Sequence, residues 1–220
     1  MSNEEMIFAK MQASIDNIDP AAAVAAAKEA LAAGIDPGVA LDKGFAVAIR
    51  KIGDAFERMD IFLPQLIQSA DAMKAGMAVL EGAIKAGGGS VSHKGVVVLG
   101  TVEGDIHDIG KTVVGAMLQA NGYQVHDLGV DVPPTRFIQT AEEVGANIIA
   151  ISALLSTTML RQRDVLELLR NKGLSRKYFT IVGGAPVNKA WADEIGATGY
   201  GRDATDAVKV LNQHAQEWAK

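Results

Sequence analysis

Hydrophobic residues in the first 87 positions recur every three to four residues, which is the period of helices with one buried face. Asp19-Pro20 and Asp36-Pro37 each place a capping carboxylate before a proline, which is a common start of a helix. A short helix near residues 3–15 and a last helix opening at Pro64 complete the set. The pattern therefore predicts a four-helix bundle that forms a cap domain over residues 1–87.

From residue 95 onwards, short apolar runs alternate with amphipathic stretches. The runs are GVVVLGT, YQVHDLG, NIIAIS, FTIVGG and a weaker ATGYG, and each has the length of one strand. Helices are predicted near 108–121, 134–145, 158–172, 187–195 and 203–219. This alternation predicts an α/β domain over residues 95–220 with a Rossmann-like (flavodoxin-like) five-stranded parallel sheet. A linker at 88–94, next to the glycine-rich GGGS of 87–90, is expected to join the two domains.

Composition narrows the classes of function. The chain of 220 residues has a net charge of −5 and no concentrated basic stretch, which argues against nucleic acid as a partner. It has no cysteine, so disulfides and thiolate metal sites are excluded and a cytoplasmic location is expected. No apolar run reaches the roughly 18 residues of a membrane helix and the N-terminus does not read as a signal peptide, so no membrane partner is expected.

The loop after the first predicted strand carries the pattern Asp105-x-His107-x-x-Gly110. An imidazole at a strand end can ligate a metal through one nitrogen, while Asp105 accepts a hydrogen bond from the other. Gly104 and Gly110 leave room for a bulky ligand to approach the backbone. The alternative is that His107 and Asp108 simply cap the helix that follows.

Two further loops follow strands that end at the same edge of the sheet, where open α/β sheets bind their ligands. One is Ser152-Ala-Leu-Leu-Ser-Thr-Thr158, in which hydroxyl side chains are crowded, and the other contains Gly183-Gly184. The hydroxyl residues could also be plain helix caps, and the glycine pair could be a plain tight turn.

Together, Asp105-x-His107-x-x-Gly110, Ser152-x-Leu154 and Gly183-Gly184 resemble the cobalamin-binding family defined by DxHxxG, SxL and GG. The resemblance extends over the whole chain. A helical bundle ahead of this sheet is similar to the cobalamin module of methionine synthase. It is still more similar to the stand-alone corrinoid proteins of methanol-, methylamine- and betaine-type methyltransferase systems.

The resemblance implies a cobalamin or related corrinoid with His107 as the lower axial ligand of cobalt, bound base-off and His-on. Asp105 would accept the second ring N–H of His107, and Thr158, where some relatives have serine, would extend this relay. Phe62 is a candidate for an apolar cap over the corrin, or else an ordinary core residue of the bundle. The remaining cofactor-binding residues implied by the resemblance are Gly104, Asp108, Gly110, Ser152, Leu154, Ser156, Thr157, Gly183 and Gly184.

The resemblance also implies a function. The chain would be a corrinoid methyl carrier that accepts a methyl group on Co(I) from a substrate-specific methyltransferase, with methylamines or quaternary amines favoured and methanol as an option. A second methyltransferase would pass the methyl group to coenzyme M or tetrahydrofolate, and a reductive activase would be a further partner. The alternatives are a cobalamin-dependent sensor or regulatory protein and a flavodoxin-like binding domain without a corrinoid.

Overall fold

The structure is a computed structural model that describes residues 2–86 and 93–217. The chain divides into two compact units, residues 1–92 and residues 93–220. The predicted linker at 88–94 lies almost wholly outside the described residues, so the domain boundary stays a prediction.

The first unit is helical, as predicted. Helix α1 begins after Ser2, whose side chain accepts from the Glu5 N–H, and α2 begins after Asp19, which caps it in the same way. One difference from the predicted bundle is a π-helical turn inside the third helical segment, a local variation that the apolar spacing does not indicate. The elements are α1 (Asn3–Asp16), α2 (Pro20–Ala32), α3 (Pro37–Ala40), the π turn (Leu41–Phe45), α4 (Ala46–Glu57) and α5 (Leu63–Ala86).

The core of the helical unit is mostly aliphatic and closely packed. Helix α5 packs against α2, and α1 packs against α2 and the π turn. The side chains of Met11, Phe45 and Leu66 are fully buried in it. Phe45 lies against α5 at Gly76, where any side chain would collide with its ring. Small residues therefore let these helices approach closely.

The second unit alternates strands and helices. Its strands are β1 (Val96–Thr101), β2 (Gln124–Asp127), β3 (Ile148–Ser152), β4 (Phe179–Gly183) and β5 (Gly199–Gly201). Its helices are α6 (Ile109–Ala120), α7 (Pro134–Glu143), α8 (Ser156–Asn171), α9 (Lys189–Ile195) and α10 (Ala204–His214), with a 3₁₀ turn at Ala215–Glu217. The five strands are parallel in the order β2-β1-β3-β4-β5, which confirms the predicted flavodoxin-like sheet.

The strand order places three loops side by side. Because β1 lies between β2 and β3, and β4 follows β3, the loops after β1, β3 and β4 meet at the carboxyl edge of the sheet. Thr101, Ser152 and Gly183 are register neighbours across this edge. The three motif loops identified in the sequence are therefore neighbours in space.

The helices cover the two faces of the sheet differently. A continuous core containing Phe137, Leu169 and Trp191 joins α7, α8 and α9 to one face. Helices α6 and α10 contact each other and cover the opposite face. The side chains of Leu99, Ala150 and Ile181 belong to that second face.

Several element ends differ from the predicted ones. Helix α8 begins at Ser156 rather than near 158, because the Thr158 hydroxyl turns back to accept from the Leu155 N–H and holds the first turn. Helix α9 begins at Lys189 rather than 187, since Asn188 caps it through the Trp191 N–H. Helix α10 ends at His214. Within the described residues, no helix has both the length and the apolar content needed to cross a bilayer.

Candidate functional site

The loop between β1 and α6 carries His107 at the carboxyl edge of the sheet. The Thr101 hydroxyl donates to the His107 carbonyl at 3.0 Å, and the Asp105 N–H donates to the Val102 carbonyl at 3.1 Å. Gly104 has a φ of +80°, a left-handed conformation that glycine adopts without strain. The loop is therefore a defined turn, and the His107 side chain remains 43% exposed.

A chain of hydrogen bonds links His107 to Asp105 and Asp105 to Thr158. The distance from His107 Nδ1 to Asp105 Oδ1 is 2.6 Å. The Thr158 hydroxyl donates to Asp105 Oδ2 at 2.6 Å, and the Leu154 N–H donates to the same oxygen at 2.8 Å. The loop after β1 is thus tied to the loop after β3 through one carboxylate.

The Asp105 carboxylate is ionised in spite of its burial. Its side chain is 0% exposed, and burial alone raises a carboxyl pKa. Hydrogen bonds from Thr158, from the Leu154 N–H and from His107 outweigh this and hold the pKa of Asp105 well below its usual range. Because an ionised carboxylate only accepts hydrogen bonds, His107 Nδ1 must be the donor. In neutral His107 the free lone pair is therefore on Nε2.

A cavity of about 770 Å³ opens beside His107 on the face of the sheet covered by α6 and α10. Its buried walls are aliphatic and include Leu99 and Ala150 from the strands and Leu118 and Leu211 from the helices. The predicted residues that line it are His107, Asp108, Gly110, Ser152, Leu154, Gly183 and Gly184.

The loop after β4 passes very close to the loop after β3. Gly184 has a φ of +128°, and a Cβ placed on it would lie 1.7 Å from the Ala153 carbonyl oxygen. No other residue fits at this position without moving the backbone. The glycine pair therefore shapes the rim of the cavity.

Other predicted residues lie apart from the hydrogen-bonded chain. Ser156 and Thr157 are exposed on the first turn of α8, and among the described residues they are not part of the cavity lining. Phe62 precedes α5 in the helical unit and is 77% exposed. The alternative prediction that it is a core residue of the bundle is therefore wrong. The Phe62 N–H donates to Gln65 Oε1, which explains why the helix starts after it.

Sequence reasoning missed a buried cation in the first turn of α6, four residues after His107. Lys111 on α6 is buried, and its ammonium binds Asp108 at 3.0 Å and also Asp127 at the end of β2. The hydrogen bond and charge of Lys111 lower the pKa of Asp108. The sequence did contain a signal for this ion pair, because Lys111 lies on the buried side of a helix. Burial of an ammonium group costs free energy unless anionic side chains pair with it, so carboxylate partners could have been expected.

Sequence reasoning also missed two residues that hold the strand ends. Asp131, in the loop after β2, accepts the Gly104 N–H through Oδ1 at 2.7 Å. Gln162 on α8 is fully buried and donates to the carbonyls of Ile151 and Gly183 at 2.9 Å and 3.0 Å. Both contacts join segments that are distant in sequence, so spacing along the chain gives little sign of them.

Comparisons with known protein families agree with this geometry. The family described as B12 binding domain matches residues 95–209, and a second family of the same description matches residues 7–81. Trimethylamine corrinoid protein 1 of Methanosarcina acetivorans is 45% identical over 96% of this chain and 98% of its own. Dimethylamine corrinoid protein 2 of Methanosarcina mazei is 44% identical over 94% of this chain and 96% of its own.

Two solved structures are similar as well. A chain of the methanol:cobalamin methyltransferase complex MtaBC from Methanosarcina barkeri superposes with a TM-score of 0.85 at 31% identity, covering 98% of this chain and 81% of that one. The monomethylamine corrinoid protein of Methanosarcina barkeri is 38% identical, with a TM-score of 0.52 over 96% of this chain and 99% of its own.

Proposed function

Because the chain belongs to the family of B12-binding corrinoid proteins, we propose that it is a corrinoid methyl carrier that serves methylamines. The observation that carries the proposal is the series of hydrogen bonds from Thr158 to Asp105 and from Asp105 to His107, which lies at the mouth of an apolar cavity. Relatives named for trimethylamine and dimethylamine are 44–49% identical, against 31% for the methanol complex, which favours amine donors. The names of these relatives favour a carrier over a cobalamin-dependent sensor.

The residues around His107 fit a corrinoid. A corrin is a large, flat and largely apolar ring, and Ile106 and Ile109 flank His107 with 76% and 77% of their surfaces exposed. Exposed aliphatic side chains on both sides of a ligating imidazole suit such a ring. When bound, the corrinoid supplies a cobalt atom that takes up a methyl group and gives it up again.

His107 would hold the cobalt through Nε2, since Nδ1 is occupied by the bond to Asp105. Because Nδ1 keeps its hydrogen bond to Asp105, Nε2 is the atom that would hold either the metal or a proton, but not both. Thr158 holds the carboxylate in place and keeps its charge hydrogen-bonded. The three side chains thereby couple ligation by His107 to its protonation.

The cavity would receive the nucleotide tail of the corrinoid. Its aliphatic walls offer an apolar slot for the lower base, and Ser152 and Leu154 lie at its mouth. Gly183 and Gly184 keep the opposite rim free of side chains. The same residues would then hold the nucleotide tail of the cofactor in the cavity.

The proposal includes three partners. A substrate:corrinoid methyltransferase would supply the methyl group, and a methylcorrinoid methyltransferase would pass it to coenzyme M or tetrahydrofolate. A reductive activase would restore the carrier after oxidation. The support for the first partner is the similarity to a chain of the methanol:cobalamin methyltransferase complex.

The experiment is a comparison of methyl donors. The chain is reconstituted with hydroxocobalamin, reduced, and incubated with methyltransferases specific for trimethylamine, dimethylamine, monomethylamine or methanol and their isotope-labelled donors. Labelled methyl groups on the bound corrinoid are then counted, with His107→Ala as the matched control.

We expect uptake from one of the methylamines to exceed uptake from methanol by at least tenfold. Uptake from methanol alone would contradict the donor class and leave the carrier function standing. Absence of uptake from all four donors, with corrinoid bound, would contradict a carrier for methylamines or methanol.

A further inference from the structure

The segment after β2 runs alongside the loop that carries His107. The Thr101 N–H donates to the Gly129 carbonyl at 3.0 Å, and the Val132 N–H donates to the Thr101 carbonyl at 3.0 Å. Val102 and Val132 form an isolated parallel bridge beyond the end of the β1–β2 ladder. The segment 129–132 therefore extends the sheet pairing to Val102, two residues before the Gly104–Asp105 turn.

Asp131 makes two hydrogen bonds to that turn. Its Oδ1 accepts the Gly104 N–H at 2.7 Å, and its own N–H donates to the Asp105 carbonyl at 2.9 Å. The two bonds hold the backbone of Gly104 and Asp105 from the side of β2. The Asp105 side chain is held from the other side by Thr158 and the Leu154 N–H.

Asp131 adopts an unfavourable backbone conformation in making these bonds. Its φ is +55°, in the left-handed region that residues other than glycine rarely occupy, although aspartate tolerates it better than most. Glycine would relieve this conformation but has no carboxylate to offer to Gly104. Strain that persists at a single residue calls for a contact that compensates for it.

We infer that Asp131 is a positioning residue for His107, acting through the backbone of Gly104 and Asp105. Without the Asp131 carboxylate, Gly104 loses its hydrogen-bond acceptor, and the turn is held only by the backbone bond from the Asp131 N–H to the Asp105 carbonyl. Asp105 orients the His107 ring. Greater conformational freedom of this turn would therefore lower the fraction of molecules in which His107 ligates the metal.

The inference rests on the proposed role of His107, and its test uses the full chain reconstituted with cobalamin in the Co(II) state. Electron paramagnetic resonance reports ligation by an imidazole nitrogen, and His107→Ala gives the signal without it. Hydrogen exchange of the Gly104 amide in the protein without cofactor gives a second, independent readout.

Three substitutions separate the hydrogen bond from the backbone strain. Asp131→Asn keeps an acceptor oxygen and a residue that tolerates a positive φ, so ligation should match the unaltered protein. Asp131→Gly relieves the strain but removes the acceptor. It should lower the ratio of His-ligated to unligated cobalt about fivefold, and Gly104 exchange should speed up by a similar factor. Asp131→Ala should show the same loss together with a lower melting temperature.

Met59→Gly is the matched control for strain relief. Met59 is exposed in the helical unit and has a φ of +61°, so its replacement removes the same kind of backbone conformation from the unit that does not carry His107. It should leave both ligation and Gly104 exchange unchanged.

The outcomes are distinct. If Asp131→Gly keeps the ligated ratio of the unaltered protein, the inference is overturned, and faster Gly104 exchange in that variant would show that the contact is only structural. If the unaltered protein shows no His107-dependent signal, the proposed function fails, while the exchange rates still report on the contact to Gly104.

Discussion

On one face of the sheet, α7, α8 and α9 pack a continuous core, whereas on the other face α6 and α10 leave a cavity of about 770 Å³. The same five strands supply both faces. The packed face carries Phe137, Tyr178 and Trp191, and Phe137 lies directly against Gly100 of β1. The faces therefore differ through the size of the side chains that the helices and strands present.

Small residues keep the second face open. Ala150 lies in the middle strand of the sheet, and Ala204 and Ala207 of α10 border the same cavity. Protein interiors otherwise pack as densely as organic crystals, so an empty volume of this size needs a reason. The face covered by α7, α8 and α9 therefore contributes most of the packing that stabilises the fold, and the face covered by α6 and α10 provides the space for a ligand.

The largest expected effect is on the free energy of unfolding, when one of two buried leucines on opposite faces of the sheet is replaced by alanine. Leu169 on α8 is buried in the packed face, and Leu211 on α10 is buried beside the cavity. Leu169→Ala should lower the free energy of unfolding by about 3–5 kcal/mol, because it creates a new cavity. Leu211→Ala should cost about 2 kcal/mol, since it only enlarges an existing one. Denaturant unfolding measures both, and equal losses would contradict the difference between the faces.

The next effect is on ligand binding, from filling the cavity. Ala150→Phe should lower the affinity for cobalamin by roughly 100-fold, or about 2.7 kcal/mol, because the new ring occupies the space for the nucleotide tail. Cobinamide, which lacks the nucleotide, is the control ligand and should bind as before. Absorption titrations measure both affinities. Unchanged cobalamin binding in a folded variant would show that the cavity does not hold the tail.

A smaller effect, on ligation by His107, is expected from a change in the hydrogen bonds that link Thr158, Asp105 and His107. Asp105→Asn replaces an acceptor by an amide that cannot accept from Leu154, Thr158 and His107 at once. The balance between ligated and unligated His107 should shift by about tenfold, or about 1.4 kcal/mol. Thr158→Ser keeps the hydroxyl and is the matched control. An unchanged spectrum and reactivity for the asparagine variant would remove Asp105 from the mechanism.

The smallest effect is on the pH dependence of stability. The folded pKa of Asp105 lies below its ordinary value of 3.8, since hydrogen bonds to the carboxylate outweigh its burial. Its ionisation therefore stabilises the fold above pH 3.8, and this contribution is lost as the pH falls below that value. The difference in unfolding free energy between the unaltered protein and Asp105→Asn should not narrow between neutral pH and about pH 5, and should narrow only in stronger acid. Narrowing already between pH 7 and 5 would contradict the depressed pKa.

Much of the fold could be predicted from local sequence. Asp19 and Asp36 cap helices that begin at the prolines after them, and each apolar run became a strand of the parallel sheet. The π turn and the start of α8 could not be predicted, because they depend on packing between helices and on a side chain that turns back to its own backbone.

The site was predicted in part, for a related reason. His107, Asp105 and Thr158 are a short distance apart because strand order brings their loops together, and the order of the motifs already indicated this. The contacts of Asp131, Gln162 and Lys111 join elements that no motif connects. Their partners are backbone groups or side chains on other elements, so only coordinates reveal them.

The most direct test of the central claim is the absorption spectrum of the chain reconstituted with hydroxocobalamin, recorded beside that of His107→Ala. The unaltered protein should hold a red corrinoid whose spectrum shows the cofactor's own base displaced and an imidazole bound, and the variant should lose the imidazole feature. A chain that binds no corrinoid, or two identical spectra, would contradict the assignment of His107 as the axial ligand.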